Sequence, residues 1–391
     1  MNDITRIARN PQVKQAFDSF DNDLSGALDL AVTIQQIPAP TFHEAKRAAF
    51  VQARFSDLGL VDVHQDDMHN VFGRYPGTDP DHPAVIISAH IDTVFAAGTD
   101  LTISRANGQG KDLLSGPGLA DNSMGVAGLL LIAGVLRQFE LRPPADIWFV
   151  ANVAEEGLGD LKGMRSVVER FGRTAAYIVV EGGSYGHIFH GAIGVRRYRV
   201  TVKTDGGHSW GNFGSPNAIH ILGRFIASLD DLTVPQKPKT TYNVGVIEGG
   251  TTINSIASQA GLLLDLRSAG PAELADLVAQ VEKLAADLNR KSGVRVEMEQ
   301  IGNRPAGEIS ADSPLITWAT QALRHVGCHT FSLLAGSTDA NIPISQGYPA
   351  VCIGLANAGN THRQDEYLDP THLSRGLSQL LLLTLAAAGY Q

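Results

Sequence analysis

The stretch "ADIWFVANVAEEG", residues 145–157, raises the question on which the fold turns. Its first part is a nearly continuous apolar run of strand length, the pattern of a strand covered on both faces. The run then ends on two adjacent glutamates, Glu155 and Glu156. Ionised carboxylates are almost never fully buried unless they are paired or metal-bound. A buried strand that delivers two of them to its carboxyl end needs something there to receive them.

Working outward, the same grammar repeats. "AVIISAH" (84–90) and "AAYIVVE" (175–181) are apolar runs of strand length. "DNSMGVAGLLLIAGVLRQF" (121–139) and "KGMRSVVERFG" (162–172) read as helices between them. Strand alternating with helix predicts an α/β domain with a mostly parallel sheet flanked by helices. Residues 1–40 read as helical. "TFHE" (41–44) reads as a capping box, with Thr41 as N-cap and Glu44 three residues on. Short strands are expected at "VDVHQ" and "NVFGRY".

From about residue 192 the pattern changes. "GVRRYRVTVKT" alternates polar and apolar residues, as a half-solvated strand does. A helix after Pro216, the strands "TTYNVGVIEG" and "SQAGLLLDLRS", a helix from Pro271 and the strand "VRVEMEQ" follow. This is a β-α-β-β-α-β order, the ferredoxin-like signature. The sequence therefore predicts a first catalytic segment at 1–191, an inserted α+β domain at 192–304, and a second catalytic segment at 305–391.

The composition is globular, 43% hydrophobic and 18% charged over 391 residues, a length for about two or three domains. A net charge of -9 argues against a nucleic-acid groove and gives no reason to expect binding to an acidic membrane. The N-terminal residues lack a signal-like apolar region, and the apolar runs "GVAGLLLIAGVL" and "LLLLTLAAAG" are short of spanning length. The two cysteines, Cys328 and Cys352, make no CxxC. A soluble, cytoplasmic protein is expected.

The polar residues collect at the predicted strand ends. His90 and Asp92 follow one strand, Glu155 and Glu156 a second, and Glu181 closes a third. Asp121 opens a helix in "GPGLADNS", and His362 lies in "GNTHRQDE" beyond a further strand. Ligands of open α/β sheets bind outside the carboxyl ends of the strands. Taken singly, the histidines read as rim residues and Asp121 as a helix cap. With five acids and two histidines at one edge, the clustered negative charge would repel itself unless cations neutralise it. Imidazole and carboxylate without thiolate suit Zn²⁺, with Mn²⁺ or Co²⁺ as alternatives. Two ions about 3.5–4 Å apart would form a cocatalytic pair. Asp92 would orient a metal-binding His90. Neighbours at a strand end point in different directions, so of Glu155 and Glu156 one can hold metal while the other serves as general base toward the attacking water.

With these residues in place, the chain resembles the M20 metallopeptidases (the tripeptidase T, carboxypeptidase G and acetylornithine or succinyl-diaminopimelate deacylase relatives). The resemblance covers nearly the whole chain and rests on "SAHIDTV", "GPGLADNSMGVAG", "AEEG", "VVEGG", "GGHSWGNFGSPNAI", "GGTTINSIAS", "DLRS", "GSTDAN" and "THRQDEY". It implies that His90 and Glu181 hold one metal, that Glu156 and His362 hold the other, and that Asp121 bridges them. Glu155 would be the catalytic base and Asp92 the support of His90.

The inserted domain would be a lid or dimerisation domain that makes a homodimer. Its His208 would reach an active site, in many members that of the other subunit. Asn254 and Arg267 would hold the substrate, and Ser337, Thr338 and Asp339 would contact it. His208 and Asn254 suit a developing oxyanion, and Arg267 a carboxylate. A turn residue at Asn254 and a surface ion pair at Arg267 stay open. The implied substrate is a short peptide or an N-acyl amino acid. Glu181 is the residue of the carboxypeptidase and deacylase relatives, whereas the "GGHSW" segment is similar to the tripeptidase-like branch. Two other readings compete. "GHSWG" matches a G-x-S-x-G elbow around Ser209, with Asp339 and His362 in the order of a serine hydrolase. A non-catalytic metal-binding homologue would lack the base, but Glu155 is present.

Overall fold

The structure is a computed structural model that describes residues 4–108 and 111–391. It divides into two compact units, Met1–Gly191 with Glu308–Gln391, and Ala192–Gly307.

The first unit is built on a sheet in which Ile147–Asn152, Val85–His90, Ala176–Glu181 and Ala350–Gly354 lie side by side and parallel. Val71–Tyr75 extends it antiparallel beside Ile147–Asn152, and Val61–Gln65 pairs outside that. Every residue of Val85–His90 is buried, Ser88 and His90 included, as its mostly apolar run leads one to expect. Burying side chains such as Val85, Ile86 and Ile87 contributes about 1.5–3 kcal/mol each. The helices Met124–Gln138 and Leu373–Ala387 pack against this strand, and Lys162–Phe171 packs against Ile147–Asn152. With the irregular turn before it, the Met124–Gln138 helix makes an apolar segment of 20 residues, Leu119–Gln138, long enough to cross a membrane. That is longer than the sequence reading allowed, but 83% of its apolar window is buried inside the protein, so it serves as a core helix.

The expected capping box does not form. The helix after "TFHE" begins at Ala45, and Glu44 occupies its N-cap position without a side-chain cap. The Thr41 hydroxyl instead donates to Asp92 Oδ2 at 2.9 Å. Glu44 Oε1 accepts from Phe42 N at 2.9 Å and Ala154 N at 3.2 Å. Tertiary partners have taken over both polar groups.

A small antiparallel sheet was not anticipated from the sequence. Its order is Asn357–Gly359, Tyr367–Asp369, Lys111–Ser115, Ser104–Gly108. It ties the segment leading to Asp121 to the two strands that flank His362.

The second unit contains Gly194–Lys203, Ala218–Asp230, Thr240–Gly249, Gln259–Ser268, Pro271–Asn289 and Arg295–Arg304 as its long elements. The four strands form one antiparallel sheet, ordered Thr240–Gly249, Gln259–Ser268, Gly194–Lys203, Arg295–Arg304. This is the connectivity of a ferredoxin-like α+β unit. Alternate residues of Gln259–Ser268 face a core shared with the helices, where Leu262, Leu264 and Leu266 meet Phe225 and Val281.

One buried cation joins the N-terminal helices to the central strand. The Arg47 guanidinium is buried and donates to the carbonyls of Ile37 (2.6 Å), Ile91 (2.8 Å) and Gln35 (3.3 Å). Burial lowers its pKa to about 10, with the nearby Asp92 charge opposing the shift. Arg47→Met keeps most of the volume but strands these carbonyls, so it is expected to destabilise the first unit by about 3–5 kcal/mol. Urea unfolding read against the wild type checks this, with an unchanged midpoint counting against it.

Candidate active site

The parallel register brings the strand ends level. His90 stands opposite Asn152, and Gly354 opposite Glu181. The loops that follow therefore leave from one edge of the sheet, where oriented backbone and strand-end side chains converge. Several residues of these loops are strained, Ser184 at φ +64° among them. Ala154 has φ +55° and His362 has φ +67°. Non-glycine residues in this region cost free energy and persist only where surrounding contacts over-determine them.

Asp121 lies at the centre of the cluster. Its Oδ1 is 3.1 Å from His90 Nε2, and its Oδ2 is 3.1 Å from His362 Nε2. His90 Nε2 is also 3.8 Å from Glu181 Oε2, and His362 Nε2 is 3.2 Å from Glu156 Oε1. One carboxylate thus spans two imidazoles, each with a second carboxylate beside it. His90, Asp121 and Glu156 also offer ligand atoms that lie within 4.8 Å of one another. Two donors on one tetrahedral ion stand roughly 3.3–3.5 Å apart. The donor set and its spacing therefore fit divalent cations.

Asp92 is fully buried behind His90. Its Oδ1 lies 3.5 Å from His90 Nδ1, and His90 Nδ1 is 3.1 Å from the Asp92 carbonyl oxygen. The same carboxylate accepts the amides of Glu155 (Oδ1, 3.0 Å) and Glu156 (Oδ2, 3.0 Å). Glu366 plays a similar part for the Asp121 loop. Its Oε1 accepts from Ala120 N at 2.8 Å and Asp121 N at 3.1 Å.

Electrostatics show how strongly the cluster calls for positive charge. Burial alone would depress the His90 imidazolium, but hydrogen bonds to Asp121, Asp92 and Glu181 outweigh it and raise its pKa well above the usual value. Hydrogen bonds donated to Asp121 and Glu156 raise His362 to about 10. Asp121 is held low, because the hydrogen bonds of His362 and His90 overcome its burial. Glu181 is raised by burial and by the charges of Asp121 and Glu156, against the hydrogen bond of His90. Burial lifts Glu366 to about 7, with the Asp121 charge adding to it. The same pull on positive charge is one that metal cations would answer.

The remaining predicted residues fall in different places. Ser337 and Thr338 are half-buried, with the Thr338 hydroxyl accepting from Ala340 N at 3.2 Å. Asp339 corrects the expectation of a substrate contact. It is fully buried, its Oδ2 accepts from Asn152 Nδ2 at 2.7 Å, and burial raises its pKa to about 7. With no exposed surface, it serves beneath the strand ends. Among the described residues, Asp339 and His362 share no hydrogen bond, so the two do not form the acid–histidine pair of a serine triad.

In the second unit, Ser209 follows the two-residue strand Gly207–His208, and the next helix starts only at Ala218. That is not the sharp strand-to-helix turn of a nucleophile elbow. His208 is exposed, and its Nδ1 accepts from Trp210 N and Gly211 N, both at 3.2 Å. An accepting Nδ1 puts the ring proton on Nε2, making it an outward donor. Asn254 is a turn residue whose Oδ1 accepts from Thr252 Oγ1 at 3.1 Å. Arg267 Nε pairs with Asp265 Oδ2 at 2.6 Å, and Arg197 Nε takes Asp265 Oδ1 at 2.9 Å. Among the described residues, the terminal nitrogens of Arg267 have no partner.

Glu44, Asn70 and Glu366 were missed by the sequence reading. Glu44 was read only as half of a capping box and Asn70 only as the start of a strand, while Glu366 lay in "THRQDEY", where a second acid beyond His362 was the available signal.

Comparisons with known proteins agree with this geometry. The "Uncharacterized protein YqjE" of Bacillus subtilis (strain 168) is 25% identical over 347 residues, 84% of this chain and 89% of that protein. A tripeptidase from Staphylococcus aureus has a structure similar to this one with a TM-score of 0.78, at 20% identity, covering 93% of this chain and 98% of that one. The Bacillus subtilis YXEP protein, described as a dinuclear metal binding peptidase from the M20 family, aligns with a TM-score of 0.68 at 16% identity, covering 93% and 97%. The sequence model of Peptidase family M20/M25/M40 matches residues 86–385, a span that takes in every member of the His90–Asp121–Glu156–Glu181–His362 cluster. A sheet edge that gathers these side chains, and a family match that runs through all of them, place the chain in the M20/M25/M40 peptidase family as a hydrolytic enzyme.

Proposed function

We propose that the protein is a dinuclear metal-dependent amidohydrolase that cleaves an amide bond in a short peptide or an N-acyl amino acid. The observation that carries this reading is Asp121, with one oxygen 3.1 Å from His90 and the other 3.1 Å from His362. His90 and Glu181 would hold one ion, His362 and Glu156 the other, and Asp121 both. Zinc suits this thiolate-free set best, with cobalt or manganese able to replace it. Bound there, the ions would make water acidic enough to attack at neutral pH and would polarise the scissile carbonyl.

Proton transfer falls to the protein. Glu155 accepts the proton of the attacking water on its carboxylate and returns it to the nitrogen of the leaving amine. Asp92 keeps His90 in one orientation and fixes the backbone from which Glu155 and Glu156 extend. His208, with its proton on Nε2, is the donor suited to a developing oxyanion. The open fork of Arg267 suits the carboxylate of an amino acid or peptide.

A homodimer through the second unit is part of the same reading. Of the two edge strands, Arg295–Arg304 carries charge, with Glu297 paired to Lys203 and Glu299 to Arg199. Thr240–Gly249 has no basic residue and leaves Val246 and Ile247 exposed. An edge without basic residues and with exposed apolar side chains, charged only at Glu248 near its end, is the one suited to pairing with another copy.

Chelation should abolish amide hydrolysis, and Zn²⁺, Co²⁺ or Mn²⁺ should restore it, with two ions per chain by metal analysis. Full activity in chelator, lost on treatment with a fluorophosphonate, would return the serine reading.

Glu155→Gln should retain both metals and lose on the order of 10²–10⁴-fold in kcat, because only proton transfer is removed. Glu156→Gln should bind metal more weakly. Metal loss from the first variant instead of the second reverses the two roles.

His208→Ala should lower kcat while leaving metal content intact. Mixed with Glu155→Gln under subunit exchange, it should regain activity if His208 serves its neighbour's site. No recovery after verified exchange excludes that arrangement.

A further inference from the structure

The turn that carries Glu155 and Glu156 is held in an unusual way. Four consecutive amides, at residues 153–156, all donate to buried side chains. Val153 N goes to Asn70 Oδ1 at 3.0 Å and Ala154 N to Glu44 Oε1 at 3.2 Å. Glu155 N and Glu156 N go to the two oxygens of Asp92, each at 3.0 Å. Asn70, Glu44 and Asp92 are all buried. A buried amide left without an acceptor is costly, so each of these groups constrains the path of the turn. The amide that Glu44 holds belongs to Ala154, the residue in the left-handed region at φ +55° immediately before Glu155.

Glu44 has a second task. The same Oε1 accepts Phe42 N at 2.9 Å, and Phe42 is itself at φ +73°. One oxygen thus clamps two strained residues, one on each side of it. The neighbouring Thr41 reaches Asp92 through its hydroxyl at 2.9 Å. Residues 41–44 therefore supply one of the carboxylates that hold the turn and brace the other.

We propose that Glu44 is a positioning residue for catalysis: by accepting the Ala154 amide it sets the direction in which Glu155 leaves the backbone. The inference rests on the reading of Glu155 as general base. Glu44 touches neither the cluster of His90, Asp121 and His362 nor the reacting atoms. It acts only through the turn: the donors to its carboxylate, the amides of Phe42 and Ala154 and its own, are all uncharged. Small displacements of a reacting group are expensive in rate, with about 1 Å costing on the order of 10²-fold.

The test uses Glu44→Ala, which removes the acceptor, and Glu44→Gln, which keeps an oxygen in its place. Glu44→Ala should lower kcat by about 10–100-fold with KM and metal content unchanged. Glu44→Gln should recover most of kcat. Amide hydrogen exchange should quicken at Ala154 in Glu44→Ala and stay slow in Glu44→Gln. Wild-type kcat in Glu44→Ala overturns the proposal, as does unchanged exchange at Ala154. Equal impairment of the Gln and Ala variants also overturns it, because charge and not the hydrogen bond would then matter. Should Glu44→Ala fail to fold, Glu44→Asp withdraws the acceptor by one methylene and is read the same way. Glu155→Gln at wild-type kcat would sink the base assignment and this inference with it. An inactive Glu155→Gln beside a fully active Glu44→Ala sinks this inference alone.

Discussion

Asp92 is the group through which the rest of the site is organised. It is fully buried, yet it is held in the ionised form because His90 and the amides of Glu155 and Glu156 all point at it, against the cost of burial. A single carboxylate therefore sets the imidazole on one side and the paired glutamates on the other. The central strand ends at His90, so the backbone from His90 to Asp92 converts sheet geometry into site geometry. Arg47 fixes that same segment from below, through the carbonyl of Ile91. The frame is rigid because its polar groups have partners from different parts of the chain.

Around that frame the main difficulty is an excess of negative charge. Asp121, Glu156 and Glu181 surround two imidazoles, and Glu366 and Asp339 stand close enough that burial and neighbouring carboxylates push their pKa values up to about 7. Nothing in hydrophobic packing calls for such a concentration. Its physical justification is a charge-dense ligand that replaces the lost hydration, which is what divalent cations provide.

Much of this was legible in the sequence because it depends on local pattern. The runs ending at His90, Asn152 and Glu181 are almost wholly apolar, with Ser88 the one small polar residue inside them, and the polar residues at their ends could only lie at the sheet edge. The alternation in 194–203 likewise announced a half-solvated sheet. What was hidden depends on partners distant in the chain. The spacing of Thr41 and Glu44 suits a helix cap as well as a tertiary clamp, and only the positions of Asp92 and Ala154 decide between them. Asp339 sits in a polar-looking segment, "GSTDAN", yet it is drawn beneath the strands by Asn152. The strands Asn357–Gly359 and Tyr367–Asp369 have three residues each, too few for any periodicity to show.

The small sheet that ties the Asp121 loop to the strands around His362 has a consequence for the order of events in synthesis. Glu366 and Asp121 are separated by 245 positions, with the whole second unit encoded between them. His90, Asp121 and Glu156 emerge from the ribosome before the second unit, whereas His362 and Glu366, which complete their surroundings, emerge after it. Until then the nascent chain carries a concentration of acids without its second imidazole or the carboxylate that anchors the Asp121 loop. Contacts of such long range form late, because the loop they close is entropically expensive. The cluster is therefore assembled only after the second unit has been synthesised, however well the early strands have paired before then.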